Sequence, residues 1–226
     1  MKCKKNFCLF FCAILLLTPF LFLGCADDPD IVTQPGIVRV IFQADPSDTS
    51  IEILGQAINV GDSDSLGVNV FQGKAIATDD RFAILFKDVL TATQEQCTYN
   101  LLARENGEYQ EYIIFESFAP QGDYKGISMG IEGIHMSIGP FEIPVALPAD
   151  DDAVIEFSGN YSVLERQVTE VTIQLSPFQS MSRFLDSFVF ARVAAISGVQ
   201  VLPETEFNEV VKDLPSIINP NDPYSP

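Results

Sequence analysis

The chain has 226 residues, a formal net charge of −18 and no tryptophan. This acidic balance argues against a nucleic-acid-binding protein, because binding to phosphate is driven by lysine and arginine. The length fits one domain with short tails, and a domain of this size needs no disulfide framework to fold.

Residues 1–24 have the layout of a secretory signal peptide. Three lysines in the first five residues precede an uncharged apolar run over residues 7–23, and acidic residues follow directly after Cys25. The run is interrupted by Thr18-Pro19 and is shorter than the ~20 residues of a spanning helix. We therefore expect the protein to be exported, and removal of the signal also removes three lysines.

The end of the run, Leu21–Cys25, resembles the lipobox of bacterial lipoproteins. Gly24 and Cys25 match that motif, whereas Phe22 stands where leucine is usual. The resemblance implies that the Cys25 thiol carries a diacylglycerol and anchors the mature chain to the cell envelope. Alanine at position 26 favours the outer membrane if the cell is Gram-negative. An ordinary cleaved signal and a retained anchor are the alternatives.

The mature chain divides into three parts. Residues 25–36 are polar and contain Pro29 and Pro35-Gly36, which predicts a lipidated flexible tether. Residues 37–202 form the folded body. Residues 203–226 contain five prolines and predict a disordered tail, with room for a short helix at 206–213.

The body has mostly two-residue hydrophobic periodicity, which predicts strands. Turn residues such as Asn106-Gly107 separate them. This pattern predicts an all-β fold: a single antiparallel β-sandwich, transthyretin- or immunoglobulin-like, with at most one or two short helices. The spacing of Met181, Phe184, Leu185 and Phe188 predicts one helix near 181–187. The strands are expected at 37–42, 81–86, 109–118, 124–131, 153–164, 168–175 and 188–196.

The stretch from about 120 to 196 resembles uncharacterised bacterial lipoproteins and secreted proteins with a transthyretin- or prealbumin-like domain of unknown function. Ala191 departs from this pattern, where proline is expected. The resemblance implies a β-sandwich and no particular activity. The matching segments are Gly122–Ile127, Pro144–Pro148, Thr169–Leu175, Ser180-Met181 and Phe188–Ile196.

The most enzyme-like motif is Gly126-Ile127-Ser128-Met129-Gly130, which matches G-x-S-x-G. A nucleophile elbow needs a strand-to-helix turn, but residues 131–147 contain two glycines and two prolines that oppose a helix. His135, the single histidine, follows Ser128 by only seven residues. We expect no enzymatic activity, and a serine hydrolase using Ser128 and His135 is a remote alternative. Cys97 has no intrachain partner if Cys25 is lipidated, so we expect a lone thiol.

Pairs of acidic residues occupy turns: Asp45 with Asp48, and Asp62 with Asp64. Calcium is bound by loop carboxylates, and residues 62–67 begin like a calcium loop. The pattern fails at Leu66 and Gly73, so we predict no cofactor and keep these four aspartates as candidates for Ca²⁺.

The leading hypothesis for function is a non-enzymatic envelope lipoprotein. It would bind a partner protein or support a surface assembly, with the membrane contacted through the lipid. A calcium- or glycan-binding β-sandwich module is the alternative.

Overall fold

The computed structural model describes residues 34–53, 55–146, 153–184 and 187–212. These residues form sixteen strands and one helix, which confirms the prediction of an all-β fold. The predicted signal peptide, Cys25 and the chain from residue 213 onward lie outside the described residues. Within those ranges, the helix is too short and too polar to cross a bilayer.

The first sheet has four strands in the order β16-β13-β1-β9. Along β1 and β13 buried and half-buried side chains largely alternate, as expected for strands with one face in the core. The β1–β13 pair is parallel, with Ile37 beside Val168, whereas the other two pairs are antiparallel. The bounds are β1 Gly36–Ala44, β9 Tyr112–Ala119, β13 Val168–Leu175 and β16 Ala194–Leu202.

The second sheet is built around β10, a strand of 17 residues. Along one edge β10 pairs with β4, and along the other it pairs first with β12 and then with β11. The outer strands β5 and β6 extend the sheet beyond β4, while β15 and β14 extend it beyond β11. The bounds are β4 Ser65–Ala77, β5 Phe82–Ile84, β6 Cys97–Asn100, β10 Gly122–Ile138, β11 Phe141–Ala146, β12 Val154–Val163, β14 Met181–Phe184 and β15 Ser187–Phe190.

Two short hairpins lie outside these sheets: β2 Ser50–Ile53 with β3 Gln56–Asn59, and β7 Arg104–Glu105 with β8 Glu108–Tyr109. The turn between β7 and β8 is Asn106-Gly107, with φ angles of 56° and 90°. Both residues adopt the left-handed region that a two-residue hairpin turn requires. The turn that this dipeptide predicts is therefore present.

The two sheets pack face to face around one hydrophobic core. The first sheet contributes Val40 and Phe42, and the second contributes Leu66, Ile127 and Met129, all of them fully buried. A glycine leaves room for one core side chain: a Cβ atom at residue 73 of β4 would lie 2.6 Å from the ring of Phe115 on β9. The arrangement is sandwich-like.

Helix α1, Glu204–Val211, covers one end of the outer face of the first sheet. Its Phe207 packs with Ile37 and Val168, and the Phe118 and Phe207 rings meet edge to face with centroids 6.3 Å apart. Arg166 bonds to Glu204 of the helix at 2.5 Å. The helix predicted at 206–213 is thus confirmed, with its start two residues earlier.

An arginine surrounded by carboxylates lies beside α1 on this face. Arg39 Nε is 2.7 Å from Glu116 Oε1, Nη2 is 3.0 Å from Glu206 Oε1, and Nη1 is 3.6 Å from Glu170 Oε2. Only 11% of the Arg39 side chain is exposed. Burial acts to lower the pKa of Arg39, but the hydrogen bonds to Glu116 and Glu206 outweigh it and hold that pKa above its ordinary value. The guanidinium therefore stays charged and links β1, β9, β13 and α1.

The structure corrects several details of the sequence prediction. The helix expected at 181–187 is wrong, because residues 181–184 and 187–190 are the paired strands β14 and β15. The strand expected at 188–196 is interrupted at residues 191–193. The sheets are mixed rather than purely antiparallel, since β1–β13 and β11–β15 are parallel pairs. Gly36, placed in the predicted tether, is the first residue of β1.

Candidate protein-binding surface

Ser128 lies in the middle of β10, not at a strand-to-helix turn. Its neighbours across the sheet are Lys74 on β4 and Glu156 on β12, and the strand continues for ten residues to Ile138. The geometry of a nucleophile elbow is therefore not present around this G-x-S-x-G sequence.

The two glycines of the motif are explained by packing. A Cβ atom at Gly126 would lie 2.5 Å from the backbone oxygen of Phe157, and one at Gly130 would lie 2.4 Å from the Phe71 ring. Strand glycines often mark such close approaches. The motif is thus a strand segment in which neighbouring groups occupy the side-chain positions of the glycines.

His135 lies too far from Ser128 to act as its base. Both residues belong to β10, and seven residues of strand place them roughly 20 Å apart. The His135 ring instead lies over Gly67, where a Cβ atom would be 2.8 Å from His135 Cε1. The structure therefore does not bring Ser128 and His135 together as a nucleophile and its base.

Cys97 and His135 lie on opposite faces of the second sheet. Cys97 pairs with Val70, which faces the core. His135 pairs with Gly67, three residues before Val70 on β4, and an odd separation along a strand places side chains on opposite faces. Cys97 is a half-buried free thiol. Burial, with a smaller contribution from Cys97, raises the pKa of neighbouring Tyr99 well above its ordinary value.

The buried aspartates proposed as calcium ligands accept hydrogen bonds from the backbone. Asp48 Oδ2 accepts from the N–H groups of Phe178 and Gln179 at 2.7 and 3.1 Å. Asp64 accepts from Gly61 N at 2.7 Å and from Gly139 N at 2.8 Å. These carboxylates connect loops to neighbouring turns, which is a structural role.

The other two aspartates are more exposed. Asp45 Oδ1 accepts from the Ser47 hydroxyl and backbone N–H at 2.7 and 2.9 Å, and these bonds lower the pKa of Asp45 below its ordinary value. Asp62 is an exposed turn residue. Across the described part of the chain, no group of three or more acidic, histidine or cysteine side chains has the geometry of a metal site.

Replacing Asp64 with alanine is expected to lower the free energy of unfolding by about 2 kcal/mol, because it leaves two backbone donors without their acceptor. Chemical denaturation of the chain without the predicted signal peptide measures this loss. The exposed Asp62→Ala variant is the matched control and should change the value by less than about 0.5 kcal/mol. A calcium-dependent rise in melting temperature that Asp64→Asn abolishes would contradict the structural role and support a calcium site.

An exposed apolar surface lies on the outer face of the second sheet. Ala75, Ile127 and Phe157 form a cross-strand row that faces the core, so the next row, with Lys74 and Ile84, points outward. Phe82 and Ile84 of β5 are 58% and 43% exposed. We call this surface the outer patch; its members are Phe71, Lys74, Ile76, Phe82, Ile84 and Val154.

One cation is positioned within the outer patch. Lys74 Nζ lies 5.2 Å from the centroid of the Phe82 ring, within the range of a cation–π interaction. The nearby cations are paired: Arg81 bonds to Asp79 at 2.6 Å, and Lys125 bonds to Asp80. The patch therefore combines an exposed aromatic ring, aliphatic side chains and a positive charge, in an otherwise acidic protein.

Sequence reasoning did not find the outer patch. The run from Phe82 to Phe86 is apolar on both faces, so alternation alone does not show which face is buried. The structure buries Leu85 and leaves Phe82 and Ile84 exposed. The sequence feature that could have indicated the patch is the pair Phe82 and Ile84, two positions apart in a short strand that follows the acidic turn Asp79-Asp80.

Comparisons with known proteins identify no family. No family model matches the chain, and no curated protein matches it. Among solved structures, the chain is similar to MbnP from Methylosinus trichosporium, with 10% identity over 63% of this chain and 76% of that chain, at a TM-score of 0.29. A likeness this distant supports no inference about function.

Proposed function

We propose that this protein is a non-enzymatic, lipid-anchored envelope protein that binds a partner protein through the outer patch. The sequence of residues 1–25 supports the anchor, and the outer patch supports the binding role. The observation that carries the proposal is the pair Phe82 and Ile84, exposed side by side on a rigid sheet.

Aromatic residues are enriched in protein interfaces, and the largest apolar patch on a protein surface is often functional. The outer patch spans three cross-strand rows on about four strands, roughly 350 Å² from strand and row spacings. A standard interface covers about 800 Å² per partner, so the partner would also contact the polar rim around Ser128 and Glu156. The partner surface that complements the outer patch is apolar and has a carboxylate opposite Lys74.

The test is photo-cross-linking in cells that express the full-length lipoprotein. A photoreactive amino acid at Ile84 is expected to capture one reproducible partner, identified by mass spectrometry. The same group at Leu90, which is 53% exposed outside the outer patch, is the matched control. Equal capture at both positions, or none at Ile84, would contradict the proposal.

Removing the aromatic ring of Phe82 is expected to reduce capture at Ile84 at least tenfold, since aromatic anchors commonly contribute ~2 kcal/mol or more to an interface. The variant Phe82→Ser should keep its melting temperature, because this side chain is mostly exposed. Leu90→Ser serves as the control substitution. Unchanged capture by a folded Phe82→Ser protein would show that the outer patch is not the binding surface.

A further inference from the structure

The strand at one edge of the first sheet, β16, has an unusual composition. Among the described residues β16 pairs only with β13, so its opposite edge carries unpaired backbone groups. The nine residues Ala194–Leu202 include no charged residue and no proline. Natural edge strands usually carry charged residues or proline, or are covered by a helix or loop, which prevents pairing with another strand. Strand β16 has no charged residue and no proline.

Two valines on the core-facing side of β16 are exposed to solvent. Val199 pairs with Val171 and Val201 pairs with Thr169, and both of these β13 residues are fully buried. Val199 and Val201 are nevertheless 42% and 43% exposed, because the sheet ends at this strand. An added strand would cover both valines and satisfy the free backbone groups.

The sequence around these valines is symmetric: Val199-Gln200-Val201. If two copies of β16 pair antiparallel about a two-fold axis at Gln200, each Val199 lies opposite Val201 of the other copy. Directly opposed side chains in an antiparallel pair share one face, so four valines would form two apolar cross-strand pairs. No like charges would be directly opposed, although the protein as a whole is strongly acidic.

We propose that β16 is a self-association edge, through which two copies of this chain join their four-stranded sheets into one continuous eight-stranded sheet. The interface is isologous, as in most homodimers. It uses a surface other than the outer patch and leaves that patch free for a different partner.

The proposed dimer is compatible with two anchors in one membrane, a point that rests on the proposed lipid at Cys25. Gln200, at the proposed axis, lies level with Arg39 through Glu170 of β13, and Arg39 is three residues from Gly36, where β1 begins. The first residues of β1 in the two copies therefore lie about 20 Å apart, measured along the strand direction. The nine residues from Cys25 to Gln34 span up to about 30 Å. Confinement to one membrane would raise the effective concentration of the pairing partner.

Disulfide cross-linking of the full-length lipoprotein tests the two-fold pairing. In a Cys97→Ser background, Gln200→Cys brings two thiols together at the axis, within the Cα separation that a disulfide allows. Oxidation with diamide is expected to give a disulfide-linked dimer. Asn160→Cys, at an exposed position of β12, is the matched control and should remain a monomer.

A second variant tests the apolar contact. Val199→Lys is expected to lower the dimer fraction, measured by light scattering in detergent, by about tenfold. Val193→Lys replaces an equally exposed valine outside β16 and should leave the fraction unchanged. The proposal is overturned if the wild-type protein has the mass of one chain at micromolar concentration, or if Gln200→Cys forms no more dimer than Asn160→Cys. Capture of a partner at Ile84 would remain with Val199→Lys, which separates this proposal from the proposed function.

Discussion

Replacing Arg39 with methionine is expected to lower the free energy of unfolding by about 3 kcal/mol. The change removes the positive charge shared by Glu116, Glu170 and Glu206 and leaves three partly buried carboxylates facing one another. Loss of one partner from a buried ion pair costs 3–5 kcal/mol, and partial exposure of the glutamates places this case at about the lower end of that range. Chemical denaturation of the chain without the predicted signal peptide measures the difference.

Two controls separate this effect from the loss of an ordinary surface charge. Arg81→Met removes an arginine whose side chain is 79% exposed and should change stability by less than about 1 kcal/mol. The double variant Arg39→Met with Glu116→Gln should regain part of the loss, because one repelling charge is gone. A loss below about 1 kcal/mol for Arg39→Met would mean that α1 and the sheet do not depend on this ion cluster.

Replacing Cys25 with serine is expected to move the protein from the membrane fraction to the soluble exported fraction. Serine has no thiol to accept the diacylglycerol, and each buried methylene of an acyl chain contributes about 0.8 kcal/mol to membrane binding. Cell fractionation measures the distribution, and mass spectrometry of the N-terminal peptide measures the lipid.

The protein itself offers the matched control for this experiment. Cys97→Ser changes the other cysteine outside the predicted signal peptide and should leave the protein membrane-bound and lipidated. Retention of the Cys25→Ser variant in the membrane would favour an uncleaved anchor. A soluble wild-type protein beginning after a cleaved signal would favour ordinary secretion.

The parts of the fold that the sequence predicted are those that local patterns determine. Strand β13 alternates cleanly and has the predicted bounds, and Asn106-Gly107 forms the expected hairpin turn. Strand β4 was not predicted, because Gln72 adopts a φ of 54° and Gly73 interrupts the alternation. Residues 65–77 form one strand because they pair with β10 along nearly their whole length and with β5 and β6 on the other edge.

The failed helix prediction has a similar cause. Met181 and Phe188 fit a helical spacing, but Met181 opposes Phe190 in the β14–β15 pair, and both enter the core. Non-local pairing outweighs a weak local periodicity over so short a segment. The hydrogen bonds of the buried aspartates could not be predicted for a related reason. The sequence shows which loops carry carboxylates but not which backbone N–H groups will face them in the fold.

The central position of β1 in its sheet determines the order in which the body can assemble. One partner of β1 is β13, which lies about 130 residues further along the chain, and such distant pairings slow folding. The first strand of the body therefore remains incompletely paired until residues 168–175 are available to form β13. A chain that stops before residue 168 would keep β9 beside β1 but lack β13, the other neighbour of β1, and β16 beyond it. The N-terminal half of the body therefore does not contain all the strands of the first sheet.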